Sequence, residues 1–276
     1  MFVAGTVTSW YRSFSKPPHL DLGGNAQFVT VEQKVELEVV DFGGIGRPLV
    51  LLSGWGGTAH SFGNLPSRLT LNYHAYGVTR RGFGLSSAPA SGYTAKRLGD
   101  DVVAVVDALK LGRPVLVGAS FAGEELSSVA TFHPEKISGL IYLDAANGYA
   151  LCDQIHGNLA MRVATIARIL EPLIPSAFEP RIFAATAGQR KFTELHVPIL
   201  AIFPDPHDLS SQYKDADRRA KAEARDSDRT ERQISVIQRQ VPSAKIVRLP
   251  HAAHLVWQSN EADVVNAMKE FIDSLP

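Results

Sequence analysis

Cysteine is nearly missing from this chain. Cys152 is the only one in 276 residues, so no disulfide forms within the chain and no Cys-x-x-Cys pair exists to hold zinc. That scarcity points to a reducing, cytoplasmic setting, with an export signal upstream as the alternative. Met1 to Trp10 is mildly apolar but has neither a basic segment nor an A-x-A-like cleavage site, so it reads as a terminal arm. No run of about 18 apolar residues occurs, which excludes a membrane-spanning helix. Net charge is missing as well: 28 Lys+Arg balance 28 Asp+Glu, leaving no field to gather phosphate backbones or anionic lipid. No H-E-x-x-H, G-x-G-x-x-G or G-K-[ST] pattern is present. The partner these absences leave is a small, neutral or locally polar molecule, with no nucleic acid and no metal or organic cofactor implied; the oligomeric state is not readable.

What is present suits an ordinary folded domain, with 45% hydrophobic and 20% charged residues. The length is near the upper end of what one core supports. Strand-like and helix-like segments alternate, the pattern of an α/β protein whose mostly parallel sheet is flanked by helices. Val29 to Glu32 and Val35 to Val40 form an opening antiparallel pair, followed by short buried strands at Pro48 to Ser53 and His74 to Thr79. Ala95 to Lys110 carries Leu98, Val102, Val105, Val106 and Leu109 at helical spacing. A strand, Pro114 to Gly118, runs into Ser120, and a helix-compatible stretch from Phe121 to Thr131 follows. A sixth strand spans Ser138 to Leu143 and a seventh Pro198 to Phe203. The roughly fifty residues between them exceed an ordinary crossover and are read as a small helical cap, residues 146–196, inserted into a core of 1–145 and 197–276. Within the cap, Leu159 to Leu173 has helical spacing, broken by Pro172, Pro175 and Pro180. Lys214 to Gln233, dense in both charges, reads as a solvated amphipathic helix. Ala244 to Leu249 is the last strand and Glu261 to Leu275 the closing helix.

The chemistry begins at Gly118-Ala119-Ser120-Phe121-Ala122-Gly123. A serine hydroxyl becomes a useful nucleophile when a tight strand-to-helix turn holds it exposed near a base, and Gly118 and Ala122 are small enough to allow that turn. Leu51 to His60 ends a strand in the glycine-rich loop Ser53-Gly54-Trp55-Gly56-Gly57. Such a loop lets backbone amides approach a developing oxyanion closely. The candidate donors are the N–H groups of Trp55 and Phe121, with Gly54, Phe62 and Ala119 lining the substrate pocket and His60 in the loop or the pocket wall. His254, in Pro250-His251-Ala252-Ala253-His254-Leu255, follows the last strand and is the candidate base, with His251 its competitor.

The order nucleophile, acid, histidine, with the oxyanion loop after an earlier strand, resembles the α/β-hydrolase superfamily and its lid-bearing esterase and lactonase-like branch, from about Val29 to Leu275. Thr79-Arg80-Arg81-Gly82-Phe83-Gly84-Leu85-Ser86 is similar to that family's R-G-x-G-x-S turn, in which Arg81 reads as a scaffold ion. The chain departs from the family in three places. Ser53 stands where a histidine is usual, which leaves the loop's internal hydrogen bonding open. Ala119 stands where His or Trp is usual. The acid, commonly in a G-x-x-D turn past the seventh strand, faces Pro204-Asp205-Pro206-His207-Asp208 here. By offset Asp208 is favoured, then Asp205, while Asp144 reads as a structural carboxylate near a helix start.

The resemblance implies cleavage of a carboxylic ester or lactone with a hydrophobic portion, through an acyl-enzyme on Ser120. The alternatives are a cofactor-free haloperoxidase, a C–C bond hydrolase, or a small-molecule receptor on this fold with negligible turnover. A serine nucleophile argues against the dehalogenase and epoxide-hydrolase branches, which use aspartate there.

Overall fold

The computed structural model describes residues 25–146 and 195–276. The expected cap therefore lies outside the described residues, its outermost positions apart. Eight strands make one sheet: β1 (Asn25–Glu32), β2 (Val35–Gly43), β3 (Pro48–Leu52), β4 (His74–Val78), β5 (Val115–Ala119), β6 (Gly139–Leu143), β7 (Ile199–Pro204) and β8 (Lys245–Leu249). Their spatial order is β1-β2-β4-β3-β5-β6-β7-β8. The pairs β1–β2 and β2–β4 are antiparallel and the rest are parallel.

The parallel strands read as almost unbroken Val, Leu and Ile because both faces of the sheet are covered. Period-two alternation divides them. Val50, Leu52, Leu116, Leu140, Tyr142, Ala201 and Phe203 enter one buried cluster, and Leu49, Leu51, Val115, Val117, Ile141, Leu143, Leu200 and Ile202 enter the other. On the first face lie α2 (Ala95–Ala108), α3 (Gly123–Phe132) and the end of α4 (Ala216–Gln240). On the second lie α1 (Leu65–Leu69), α5 (Val256–Ser259) and α6 (Glu261–Asp273).

Capping sets the helix starts. The Thr94 hydroxyl accepts from the Arg97 amide at 3.2 Å, and the Asp215 carboxylate accepts from the Arg218 amide at 2.8 Å. Helix α4 runs on to Gln240, beyond the expected end at Gln233, because Ile234, Val236 and Ile237 continue its buried stripe. The turn after β4 is nailed down by Arg81, whose buried guanidinium donates to both Asp101 oxygens at 2.6 and 2.7 Å and to Glu32 at 3.0 Å. Arg81 thus joins that turn to β1 and α2. Among the described residues no helix is long and apolar enough to cross a membrane.

Candidate active site

Parallel strands deliver their C-terminal ends to one edge, and the candidate residues collect there. Ala119 of β5 is paired in register with Leu143 of β6. Ser120 and Asp144, the next residue on each strand, therefore leave neighbouring strands side by side. Both turn sharply into the left-handed region that non-glycine residues avoid, at φ +52° and +46°. Such strain persists only where the surroundings enforce it, and it clusters at functional sites. After Ser120 the chain makes a short 3-10 turn to Ala122 and enters α3 at Gly123.

Small residues make this elbow possible, as the sequence suggests. A Cβ on Gly118 would sit 2.6 Å from the Leu126 side chain and 3.2 Å from the Cβ of Ala122. Gly54 lies against the serine itself, since a Cβ there would come within 3.2 Å of the Ser120 Cβ and 3.7 Å of its Oγ. Ala119 is buried directly beneath. The glycine-rich loop after β3 and the elbow are therefore in contact, the arrangement that the candidate donors Trp55 and Phe121 require. The rings of these two residues meet edge to face at 4.6 Å, and Trp55 meets Phe83 at 5.0 Å. Phe62, expected at the pocket, is fully buried in the core against Trp257, with ring centroids 5.3 Å apart. His60 holds the loop from its outer side by a 3.1 Å contact with Glu38. Ser53, standing where histidine is usual, has its Oγ buried with no hydrogen-bond partner, while its carbonyl accepts from Arg80 at 2.8 Å.

His254 lies in the loop after β8 and donates from Nδ1 to Oδ2 of Asp144. The preference among the aspartates drawn from sequence does not match this placement. Asp208 is exposed and accepts from the Ser210 amide at 2.9 Å, and Asp205 pairs with Arg248 at 2.9 Å. The carboxylate that reaches the histidine is Asp144, the third choice. An offset along the chain misleads because the loop after β7 pairs through its backbone with the loop after β8, with the Asp208 amide donating to the Ala252 carbonyl at 3.0 Å. That pairing turns His207 inward and Asp208 outward. His251, the competing base, is exposed at φ +51° and lies 3.8 Å from Glu223, on the α4 side.

Two further residues, unassigned from sequence, complete the array. The Nε2 of His207 donates to the same Asp144 Oδ2 at 2.8 Å, and its Nδ1 donates to Asp226 of α4 at 2.7 Å. Asp226 also accepts from the His207 backbone amide at 2.8 Å. His207 was visible in the turn after β7. Asp226 sits among many charges and carries no signal of its own.

Electrostatics follow from the pairing. Burial alone would raise the Asp144 carboxyl, but the imidazoles of His254 and His207 outweigh it and hold the group well below the usual carboxylate range. Burial likewise opposes charge on His207, yet its hydrogen bonds to Asp144 and Asp226 push it up to about 9. Asp226 is lowered, burial being overcome by His207. Asp144, His207 and His254 offer ligand atoms within 4.8 Å of one another. A metal ion could use them only by displacing both imidazole N–H bonds to Oδ2, so hydrogen bonding is the simpler account of their closeness.

Comparison with known proteins agrees with this architecture. An AB hydrolase superfamily protein of Bacillus subtilis is 34% identical over 124 residues, covering 43% of this chain and 45% of that protein. The first curated relatives are matched over less than half of their own length. A thermophilic esterase from Thermogutta terrifontis superposes with a TM-score of 0.63 at 20% identity, over 90% of this chain and 98% of that one. A bromoperoxidase from Bacillus anthracis does so at 0.65 and 18% identity, over 91% and 100%. The alpha/beta hydrolase family profile matches residues 49–267, and with the sheet order and the strained strand-to-helix serine turn already described, this chain belongs to the alpha/beta hydrolase family.

Proposed function

We propose that this chain is a serine hydrolase that cleaves a carboxylic ester or lactone carrying an apolar portion, through an acyl-enzyme on Ser120. The observation that carries the reading is the strained Ser120 beside an equally strained Asp144 whose carboxylate holds Nδ1 of His254. With Nδ1–H donated to Asp144, the tautomer is set, and in this scheme Nε2 is the nitrogen that takes the proton. In the proposed cycle Ser120 Oγ attacks the carbonyl carbon while His254 accepts its proton. The backbone N–H groups of Trp55 and Phe121 stabilise the oxyanion, and His254 returns the proton to the leaving alcohol. Water then repeats the sequence on the acyl-enzyme. Asp144 acts as the acid of the triad, and His207, with Asp226 behind it, braces the same Asp144 oxygen that accepts from His254.

The apolar portion of the substrate is inferred from the Trp55, Phe83 and Phe121 rings, which pack on one another where the glycine loop meets the elbow. A solved neighbour described as an N-acyl homoserine lactone degrading enzyme, at TM-score 0.58 and 20% identity, makes a lactone a sensible member of the test panel.

The test is labelling of the wild type and Ser120→Ala with a fluorophosphonate probe, alongside turnover of p-nitrophenyl esters and a lactone. Wild-type labelling and ester turnover that both vanish in a folded Ser120→Ala are expected. A folded variant that retains substantial turnover refutes the reading, and an unlabelled, inactive wild type favours a receptor.

A further inference from the structure

Arg80 stands beside Arg81 in the turn after β4, and its surroundings are of a different kind. Its side chain is 3% exposed, as is that of Glu125 on α3, and the two form a bidentate pair, Nε to Oε1 at 2.7 Å and Nη2 to Oε2 at 2.6 Å. The remaining donors do not go to the core. Nη2 also donates to the Ser53 carbonyl at 2.8 Å, and Nη1 donates to the Gly54 carbonyl at 3.2 Å. The guanidinium carbon lies 4.9 Å from the centroid of the Phe121 ring and 6.0 Å from that of Trp55. One buried cation thus touches the glycine loop, the elbow helix and both residues proposed as oxyanion donors.

Stability alone does not explain such a pair. Taking two charges out of water costs several kcal/mol per ion, and replacing a buried pair with apolar side chains of similar volume is often neutral or stabilising. What apolar side chains cannot supply is a pair of directed N–H groups aimed at consecutive carbonyls. The Gly54–Trp55 peptide is trans. In a planar trans peptide the C=O and the following N–H point to opposite sides. The Gly54 oxygen accepts from this guanidinium and from the Gly57 amide at 3.1 Å, and holding it there aims the Trp55 N–H away from the guanidinium and opposes rotation of the peptide. Gly54 is the residue packed against Ser120, so a peptide flip there would swing an acceptor to the position where a donor is needed.

We infer that Arg80, oriented by Glu125, is a positioning residue that locks the Gly54–Trp55 peptide in the orientation required to donate to the oxyanion. This rests on the proposed serine-hydrolase reading and deepens it. Arg80 touches neither the nucleophile nor, in this scheme, the substrate. Its effect is confined to the one species that carries the oxyanion.

The experiment compares wild type, Arg80→Met and the double variant Arg80→Met with Glu125→Leu on a p-nitrophenyl ester. A trifluoromethyl ketone that forms a hemiketal with a serine serves as the oxyanion mimic. The double variant guards against misfolding, because it leaves no buried charge unpaired, and thermal melts establish that it is folded. The expected result is a fall in kcat of about 100-fold, the lower end of what losing one oxyanion donor costs, with KM within about threefold. Binding of the ketone should weaken by the same factor as kcat/KM. A folded double variant with wild-type kcat and wild-type ketone affinity overturns the inference, as does a loss that falls on KM alone. If the wild type neither turns over esters nor labels at Ser120, the serine-hydrolase reading has failed, which is a separate outcome visible before any variant is made.

Discussion

At the scale of single residues, Asp144 combines features that are costly apart. It is buried, its backbone is in the left-handed region, and one of its oxygens accepts from two imidazoles. Replacing it with asparagine keeps the shape but permits the amide to present N–H where the carboxylate accepted, which favours the wrong tautomer of His254. Asp144→Asn is expected to lower kcat by about three to four orders of magnitude. Asp208→Asn, which alters only an exposed loop contact to Ser210, should stay within about threefold of wild type. Kinetics and melts of both proteins on one ester check this, and an inactive but folded Asp208→Asn would return the role to that residue. Ser120, His254 and the glycine loop could be proposed from the sequence because small residues and a strand-to-helix junction leave a local mark. Asp144 left none. Its partner lies 110 positions away, and the decisive fact, that β6 is the parallel neighbour of β5, belongs to the sheet and not to the motif. Arg80 was hidden by Arg81, whose position in the recognised turn drew the structural reading that its buried contact with Asp101 bears out.

Elements place these residues by close backbone approach. At the start of α3, a Cβ on Gly123 would lie 1.7 Å from the Ala145 carbonyl oxygen, immediately after Asp144. Neither backbone can yield without moving the elbow or Asp144. Gly123→Ala is therefore expected to destabilise the protein by about 2 kcal/mol or more, a drop of roughly 4 to 8 °C in Tm at this size, and to lower kcat beyond the loss of folded protein. Gly112→Ala is the control. Its φ of +66° makes a side chain strained, but nothing lies within 4 Å, so it should cost about 1 kcal/mol and leave kcat per folded molecule unchanged. Melting curves with kcat normalised to active-site titration decide between them, and equal kcat in the two variants would sink the claim. The alternation of strands and helices was readable from apolar period and turn residues. The long charged helix was read only in part. Its charges do face solvent over much of its length, but Asp226 projects from it to His207, and no pattern in a segment rich in Asp, Glu, Arg and Lys separates that one carboxylate from its neighbours.

Across the whole molecule, the Asp226, His207, Asp144, His254 array makes stability depend on pH in a defined window. His207 is raised to about 9 in the folded protein from an ordinary value of 6.5, so the folded state binds the extra proton between those values. Stability gained from the pairing is therefore fully present below about 6.5 and lost as pH rises through about 9. The two aspartates work in the opposite sense. Both are lowered from 3.8, so their contribution is present above that value and lost as pH falls below it. Removing the imidazole isolates the first effect. The wild type should lose melting temperature more steeply than His207→Gln between pH 6.5 and 9.5, and the gap between the two should narrow at the alkaline end, because the deprotonated ring no longer offers both carboxylates a donor. Groups common to the two proteins cancel in the comparison. Paired thermal melts in half-unit pH steps at constant ionic strength make the measurement. Parallel curves would mean that His207 is neutral between its carboxylates, and the cationic brace on Asp144 would have to be abandoned.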